Sequence, residues 1–262
     1  MLAGGSRAPS RDVYVYPASR VLLSSSGGAL DPPNMASDLT PEFAKLAPWI
    51  FKFRIEGTDY GGEISAAGDP RVEKFFCFAP TVETILELGS LEGAHTFLLA
   101  EHRGVKRVVA LEGRERNLRK ARLIQGLLQV RNAEFAQANL EESDLSAFGE
   151  FDAIFCSGLL YHLPEPWKLI ERLPAIAQSL FIWTHYAPDA DAEVISNGLR
   201  GKIFVEGGSE EPLSGMSPTS MWLTLGSLIV SLTKSGYRSI HVIHNDLTHS
   251  NGPAVTIGAT IN

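Results

Sequence analysis

The fold is decided by the stretch Thr84-Ile-Leu-Glu-Leu-Gly-Ser-Leu-Glu-Gly-Ala-His-Thr-Phe-Leu-Leu-Ala100. Residues 85–88 form an apolar run that opens with a β-branched side chain and is too short for a helix, which predicts a buried strand. Gly89 and Gly93 then interrupt the run, and an amphipathic segment follows at 94–101. A strand, a glycine turn and a helix in this order are typical of a nucleotide-type site on an α/β sheet. An ordinary strand-to-helix turn that needs glycine would give the same local pattern.

A second apolar run, 105–111, ends on Glu112, which lies 23 positions after Gly89. In dinucleotide-binding folds an acidic side chain about 20 residues beyond the glycines binds the ribose diol. A carboxylate suits this task because it can accept two hydroxyl hydrogen bonds at once. We expect Glu112 to be partly exposed at the tip of its strand. The dinucleotide motif G-x-G-x-x-G is absent between Gly89 and Gly93, which disfavours a dehydrogenase.

Strand and helix patterns alternate along the rest of the core. This alternation indicates βαβ units and a mainly parallel sheet, with ligands bound at the carboxyl ends of the strands. Two apolar segments around a polar turn, 237–244 and 252–259, predict a terminal β-hairpin. We therefore predict an α/β fold with a Rossmann-like, doubly wound, mainly parallel sheet and a C-terminal antiparallel hairpin. The predicted strands are 82–88, 105–111, 133–138, 151–157 and 179–185, and the predicted helices are 93–103, 114–129, 142–147 and 165–178.

Three further segments surround this core. Residues 1–38 are rich in Gly, Ser, Pro and Ala and predict a flexible leader, with a possible edge strand at 12–17. Residues 39–80, with helix starts at Thr40 and Asp69, predict a separate helical segment in front of a domain at 81–262. An irregular insertion is expected after the fifth strand, at about 188–217, where it could cover a substrate. A core-facing helix is expected at 219–235.

The motif E-x-G-x-x-x-G, from Glu87 to Gly93, resembles motif I of class I S-adenosylmethionine (SAM) dependent methyltransferases. This chain has Leu91 where many members carry a middle glycine. The segment Gly158-Leu-Leu-Tyr-His-Leu-Pro-Glu-Pro166 resembles the subgroup that includes tRNA wobble-uridine carboxymethyl transferases. The resemblance extends from about residue 82 to the C-terminus and implies SAM as the cofactor. The segment 39–80 is similar to the N-terminal lid of many methyltransferases, so we expect it to be a helical lid.

The resemblance also implies where the cofactor binds. An Asn at the tip of the third strand would meet the adenine, although Asn139 could instead simply make a turn. Backbone groups at Ser157 and Gly158 would hold the methionine ammonium. The expected cofactor-binding residues are Glu87, Gly89, Ser90, Gly93, Glu112, Gly113, Arg114, Asn139, Leu140, Ser157 and Gly158.

Three residues after strand tips are candidates for catalysis: Tyr161, His162 and His185. A neutral imidazole could take a proton from a hydroxyl or an amine, because its ordinary pKa of about 6.5 lies near working pH. A positioning or packing role for His162 is the alternative. Candidate substrate contacts are the aromatics Tyr60, Tyr186 and Trp222, which could instead serve packing; Arg71 and the aromatics Trp49 and Phe53 are further candidates near the site.

We expect no bound metal. Metal-dependent O-methyltransferases of the catechol type need carboxylates at the end of the fourth strand, and this chain has none there. The seven histidines also lack the compact Cys/His spacing of a zinc site.

Composition limits the class of protein. A chain of 262 residues can bury one sizeable core, and the lack of an apolar run of about 18 residues predicts no membrane helix. Two isolated cysteines, Cys77 and Cys156, fit a reducing cytoplasm. A net charge of −7 makes a broad nucleic-acid interface unfavourable. The oligomeric state stays open.

The leading functional hypothesis is a SAM-dependent methyltransferase that acts on oxygen or nitrogen of a small-molecule acceptor. The alternative within the enzymes is a tRNA-modifying (carboxy)methyl transferase, favoured by the Tyr161-His162 segment. A third hypothesis is a SAM-binding protein without catalysis, which a turnover assay would separate from the first two.

Overall fold

The computed structural model describes residues 38–208 and 211–262, which form twelve strands and six α-helices. The predicted leader, apart from Asp38, and the possible strand at 12–17 lie outside the described residues. The strands are β1 (Lys52–Ile55), β2 (Thr58–Gly61), β3 (Thr84–Leu88), β4 (Arg107–Glu112), β5 (Ala133–Gln137), β6 (Phe151–Ser157), β7 (Ala177–His185), β8 (Val194–Ser196), β9 (Leu199–Val205), β10 (Thr219–Leu223), β11 (Ser239–Asp246) and β12 (Ala254–Thr260). The helices are α1 (Thr40–Lys45), α2 (Pro70–Phe78), α3 (Ala94–Glu101), α4 (Glu115–Leu128), α5 (Pro166–Ile170) and α6 (Leu225–Lys234).

Seven strands form the central sheet in the order β11-β12-β7-β6-β3-β4-β5. The pairs from β5 to β7 are parallel, whereas β12 runs antiparallel to both β7 and β11. The predicted doubly wound sheet with a C-terminal antiparallel hairpin is therefore confirmed. Strand β3 pairs with both β4 and β6, so the chain winds outward in both directions from it. Ligands bind at the carboxyl ends of the strands at such a switch point.

Both faces of this sheet are covered, which explains why its strands read as continuous apolar runs. On one face Leu86 and Ile154 belong to a core that includes residues of α5 and α6. On the other face Ile85 and Phe155 pack with residues of α2 and α3. Neighbouring residues of one strand thus face opposite cores, as the strand periodicity requires. Each fully buried side chain of this size contributes about 1.5–3 kcal/mol.

The helix expected at 165–178 is only partly present. Helix α5 ends at Ile170, and a short 3₁₀ turn, Leu173–Ala175, follows it. Pro174 has no N–H to donate to a helical hydrogen bond, so it prevents a continuous helix to 178. Strand β7 accordingly begins at Ala177, two residues earlier than expected.

The insertion after β7 is more regular than the sequence suggested. Strands β8, β9 and β10 form a separate antiparallel sheet in which β9 is central. The predicted helix at 219–235 was wrong over its first residues, because Thr219–Leu223 is β10 and pairs with β9. Helix α6 begins only at Leu225, where the Thr224 hydroxyl oxygen accepts the N–H of Ser227 at 3.1 Å.

The segment before the sheet contains a β-hairpin between its two helices. Strands β1 and β2 pair antiparallel, and the predicted helix starts near Thr40 and Asp69 are present as α1 and α2. Asp69 caps α2 by accepting the N–H of Arg71 at 2.9 Å, with a proline at the first helical position. The segment 39–80, expected to be a helical lid, thus contains two helices and a two-stranded hairpin.

No helix within 38–208 and 211–262 is long and apolar enough to cross a bilayer.

Candidate active site

A cavity of about 540 Å³ opens at the carboxyl ends of the central strands. Its walls come from the loops after β3, β4, β5, β6 and β7, from the N-terminal segment and from the insertion. This volume is in the range that holds one small organic ligand or a cofactor. The predicted site residues in its lining are Gly89, Ser90, Glu112, Gly113, Arg114, Asn139, Leu140, Ser157, Gly158, Tyr161, His162, His185 and Trp222.

The glycine turn after β3 keeps an unusual backbone without its middle glycine. Gly89 has φ +78°, and a Cβ there would lie 3.3 Å from the Leu159 side chain. Leu91 has φ +51°, the left-handed conformation that glycine adopts most easily. Its N–H donates to Glu112 Oε2 at 2.9 Å, and this bond holds the strained residue in place. The turn therefore keeps its left-handed conformation although Leu91 stands where many family members have glycine.

Glu112 is buried, contrary to the expectation of a partly exposed side chain. Oε1 accepts the N–H of Arg114 at 2.8 Å and the amide of Asn117 at 3.2 Å, in addition to the Leu91 bond at Oε2. Burial raises the pKa of this carboxyl, and those hydrogen bonds oppose the shift. Since a carboxylate has about four lone-pair positions, one acceptor position is left for a ligand hydroxyl.

The Ser90 hydroxyl gives the direct test of whether a polar ligand fits here. Its Oγ is buried and has no hydrogen-bond partner among the described residues, although Ser90 lines the cavity. A buried hydroxyl without a partner costs free energy that a polar ligand group would recover. The residues present thus fit a cofactor with polar groups at the end of β3.

Glu87 and Gly93 do not line the cavity. The buried Glu87 carboxylate accepts the Thr96 hydroxyl at 2.5 Å, and burial raises its pKa to about 7. Gly93 has φ +81° and starts α3, where a Cβ would lie 2.9 Å from the Phe135 ring. Both residues contact neighbouring side chains, Thr96 and Phe135, and not the cavity, so their cofactor role would be indirect.

Asn139 forms the turn that the sequence left as its alternative role. Its side-chain oxygen accepts the N–H of Glu141 at 3.2 Å. The next residue, Leu140, has its carbonyl bonded to the guanidinium of Arg172. The Asn139 oxygen keeps a second lone pair, so the turn is compatible with an adenine contact.

Aromatic rings enclose the end of the cavity at β6 and β7. His185 stacks on Trp222 with ring centroids 4.9 Å apart, and the Tyr161 ring meets His185 edge-on at 4.7 Å. Trp183 meets His185 at 5.1 Å, and His249 meets it at 4.8 Å. We call Tyr161, Trp183, His185, Trp222 and His249 the aromatic box.

The two candidate histidines have different partners. His162 Nδ1 lies 3.2 Å from Glu206 Oε2, whereas His185 Nδ1 faces the main-chain carbonyls of Gly252 and Pro253 at 3.1 and 3.2 Å. Burial lowers the pKa of both imidazoles below the ordinary value. Both rings are therefore neutral at pH 7 and able to accept a proton.

A polar cluster from α2 closes another wall. Arg71 donates to Ser157 Oγ at 3.2 Å and lies 4.8 Å above the Trp183 ring. Asp69 accepts Arg71 Nε at 2.9 Å, and its Oδ2 lies 2.9 Å from His95 Nε2. The neighbouring His95 and Arg71 hold the pKa of Asp69 well below its usual range, against the opposing effect of burial. Sequence reasoning singled out Arg71 but missed Asp69 and His95, which no motif marks.

A loop from the insertion covers the β4 side of the cavity. We call residues 206–208 and 211–216 the strap. The Arg114 guanidinium donates to the carbonyl of Ser214 at 2.7 Å, so this predicted cofactor residue binds the strap. A Cβ on Gly113 would lie 2.2 Å from Met216 Sδ, which shows how closely the strap approaches β4. Sequence reasoning missed these strap residues because it treated the insertion as irregular.

Two predicted substrate residues lie away from the cavity lining. Tyr60 stacks on Phe43 at 4.9 Å, in the small core beneath the β1–β2 hairpin that also holds Trp49 and Phe53. Tyr186 is buried, and its hydroxyl donates to Asn245 at 3.0 Å. Apolar burial accounts for these aromatics, which was the alternative interpretation.

No group of three or more His, Cys, Asp or Glu side chains in the described part of the chain is arranged to hold a metal ion.

Comparison with known proteins decides the family. A family model described as a methyltransferase domain matches residues 82–201. The N-terminal domain of EvdMO1, crystallised in the presence of SAH and D-fucose, is 32% identical, with a TM-score of 0.78 over 86% of this chain and 96% of that one. The chain belongs to the class I SAM-dependent methyltransferases. The cofactor of this methyltransferase is SAM, and SAH is the product formed from it.

Other relatives match over shorter shares of their length. The methyltransferase covers 46% of the longer EvdMO1 chain, with 30% identity and a TM-score of 0.66 over 85% of its own length. Chemotaxis protein methyltransferase 2 of Pseudomonas aeruginosa is 38% identical over 85 residues. That match spans 31% of this chain and 30% of the relative, so the chain matches less than a third of it.

Proposed function

We propose that this methyltransferase acts on a neutral small molecule and that, of the two acceptor atoms expected from the sequence, oxygen and nitrogen, it methylates oxygen, in a sugar hydroxyl. The observation that carries the proposal is the aromatic box at one end of the cavity. Flat aromatic rings bury the apolar C–H face of a pyranose, while polar neighbours bind its hydroxyls. The crystal structure of the EvdMO1 domain in the presence of SAH and D-fucose supports the same class of acceptor.

The charges around the box favour a neutral acceptor. The Arg71 guanidinium is paired with Asp69, and the Glu206 carboxylate faces His162. The guanidinium is thus ion-paired, and the carboxylate is held by hydrogen bonds from the neutral His162 ring, from Ser214 and from Gly215. A charged acceptor would have to compete with these contacts, whereas a neutral polyol would not.

Cofactor contacts are assigned to the loops at the strand ends. Glu112 would accept a ribose hydroxyl, Ser90 and the Ser157–Gly158 backbone would hold the methionine part, and Asn139 would meet the adenine. When bound, SAM supplies a methyl group on a positively charged sulfur. The residues of this chain then orient the acceptor, exclude water and hold the proton that leaves it.

The assay that tests the proposal uses radiolabelled SAM with D-fucose, other monosaccharides, phenols and amines. We expect label in a monosaccharide, and NMR of the product would show an O-methyl ether. Label confined to amines or phenols would contradict the sugar assignment. Silence of the whole panel, with SAH bound tightly, would favour the SAM-binding protein without catalysis.

The assignment to the wobble-uridine subgroup stays a prediction that rests on the Tyr161-His162 segment.

A further inference from the structure

Glu206 is fixed in the strap before it reaches His162. It follows β9 directly, and its Oε2 accepts the Ser214 hydroxyl at 2.7 Å and the N–H of Gly215 at 2.6 Å. Only 8% of its side chain is exposed. The carboxylate is thus held by its own loop, and its position does not depend on the imidazole.

The contact between Glu206 and His162 determines the tautomer of the ring. His162 Nδ1 lies 3.2 and 3.3 Å from the two carboxylate oxygens. An ionised carboxylate can only accept hydrogen bonds, so the proton of the neutral imidazole is on Nδ1. The lone pair is then on Nε2, on a ring that lines the cavity beside Tyr161.

The strap also holds the backbone of His162. A Cβ on Gly215 would lie 2.4 Å from the His162 carbonyl oxygen, so only glycine allows this approach. Arg114, beside the predicted ribose carboxylate, binds the same strap through Ser214. One loop therefore connects the cofactor side of the cavity to the histidine.

We infer that Glu206 is a positioning residue that fixes the Nδ1–H tautomer of His162 and leaves Nε2 to accept the proton of the acceptor hydroxyl. This inference rests on the proposed function. As the acceptor oxygen forms its bond to the methyl carbon, the carbon–sulfur bond breaks and sulfur keeps that electron pair. The O–H bond breaks at the same centre, its electrons stay on oxygen, and the proton binds Nε2.

The charge balance around His162 agrees with this role. Burial lowers the pKa of His162, which keeps the ring neutral and ready to accept a proton. Arg114 opposes a positive charge on His162, whereas Glu206 favours one. Glu206 thus stabilises the imidazolium that forms during transfer. Within the described part of the chain His185 has no carboxylate partner, and its Nδ1 faces the neutral carbonyls of Gly252 and Pro253.

The test uses NMR of SAH-saturated protein with ¹⁵N-labelled histidine. In the wild type we expect His162 to carry its proton on Nδ1. In Glu206→Gln we expect its pKa to fall, because the carboxylate that stabilises the imidazolium is gone. The matched control is Glu211→Gln, which makes the same charge change elsewhere on the strap and should leave the His162 titration unchanged.

A kinetic arm uses D-fucose as the probe acceptor. We expect Glu206→Gln to lower kcat about 10- to 100-fold, by analogy with the loss of a carboxylate that orients a metal-binding histidine. KM for SAM should stay within about twofold of the wild type, and Glu206→Asp should recover part of kcat. Loss of SAH affinity in proportion to kcat would indicate a merely structural Glu206 and would overturn the inference.

The NMR result stands even if the acceptor assignment fails. A wild-type His162 protonated on Nε2, or an unchanged titration in Glu206→Gln, would overturn the inference whatever substrate the enzyme uses. If Glu206→Gln does not fold, the wild-type tautomer alone still decides. Failure of the monosaccharide panel with the expected tautomer present would count against the sugar acceptor and leave the Glu206–His162 assignment in place.

Discussion

Glu112 joins two backbone segments and still has a lone pair free for a ligand. Its carboxylate accepts N–H groups from the glycine turn and from the start of α4. Its contribution to stability and its contribution to cofactor binding therefore have to be measured separately.

The first prediction concerns Glu112→Gln. The amide group of Gln donates where the carboxylate accepted, so it opposes a backbone N–H and disturbs the ribose contact. We expect SAH affinity, measured by calorimetry on folded protein, to fall by about 1–3 kcal/mol, together with a lower Tm. Glu134→Gln, an exposed carboxylate on β5, is the control and should bind normally. Wild-type affinity in folded Glu112→Gln would remove the ribose assignment.

The second prediction concerns the buried Glu87, whose pKa is raised to about 7, chiefly by burial. The unfolded chain has the ordinary value, so the folded state binds the proton more tightly and stability falls as pH rises from about 4.5 to 7. At about 1.36 kcal/mol per unit, the loss is on the order of 3 kcal/mol. Glu87→Gln, which keeps a hydrogen-bond acceptor for Thr96, should lack this part of the slope in urea denaturation across pH 4–8. The control Glu150→Gln, at an exposed carboxylate, should keep the full dependence of stability on pH. An unchanged slope in Glu87→Gln would mean that Glu87 is not the titrating group.

The site residues that directly follow strands could be predicted from the sequence, whereas those that come from other elements could not. Glu112, Ser90 and Tyr161 could be placed because strand tips of a parallel sheet meet at one edge. Glu206 and Asp69 reach the site from an insertion and from a helix cap, and no local pattern marks that approach. Burial of Glu112 was also missed, because it depends on the glycine turn and the start of α4, which fold around the carboxylate.

The β1–β2 hairpin is attached to the glycine turn by a buried ion pair. Glu92 Oε2 accepts the N–H of Phe51 at 2.7 Å, and Lys120 Nζ lies 2.8 Å from Glu92 Oε1. The side chains are 5% and 0% exposed for Lys120 and Glu92. Because Ile50 and Phe51 line the cavity, this pair fixes one of its walls.

The third prediction is that Lys120→Met lowers the free energy of unfolding by about 3–5 kcal/mol. The change leaves the Glu92 carboxylate buried without its cation, and an uncompensated buried charge costs this much. Urea denaturation measures it. Lys106→Met, which breaks an exposed pair with Glu83, should change stability by less than about 1 kcal/mol. Equal effects of the two variants would show that the buried pair does not stabilise the fold.

The spacing of apolar residues predicted correctly whether a segment is a helix or a strand wherever the segment buries one or both of its faces regularly. The core strands and α3 and α4 are close to their expected positions for that reason. Strand β10 was mistaken for the start of a helix, because Met221 and Trp222 fit a helical stripe as well as a strand. Pairing with β9, which the local pattern does not contain, decides between the two.

The whole molecule carries a net charge of −7, and this bears on the nature of the acceptor. Binding of folded RNA relies on many phosphate contacts with Lys and Arg and weakens steeply with salt. An acidic protein would repel such a partner unless its basic residues were clustered. In the densest basic run, Arg119 and Arg122 lie near the Glu115 carboxylate, which offsets part of their charge.

The fourth prediction is that bulk tRNA accepts no methyl group at physiological salt. Label transfer from radiolabelled SAM to tRNA, beside the monosaccharide panel, measures this. Salt-sensitive labelling of tRNA with the panel silent would reverse the order of the two enzyme hypotheses.

The central sheet and its order of strands and helices could be predicted, because strand-helix alternation and a terminal hairpin restrict the topology to few solutions. The β1–β2 hairpin and the β8–β10 sheet were not predicted. The acceptor could not be predicted, since it depends on rings that converge from four separate loops and strands. A cytoplasmic location stays a prediction that rests on the isolated cysteines.

Calorimetric titration with SAH, SAM and NAD shows which cofactor the cavity takes. We expect both SAM compounds to bind at one site and NAD not to bind, because the Ser90 hydroxyl and the Glu112 carboxylate offer polar partners and the glycine turn lacks the dinucleotide motif. Binding of NAD, with no heat from SAH or SAM, would contradict this expectation.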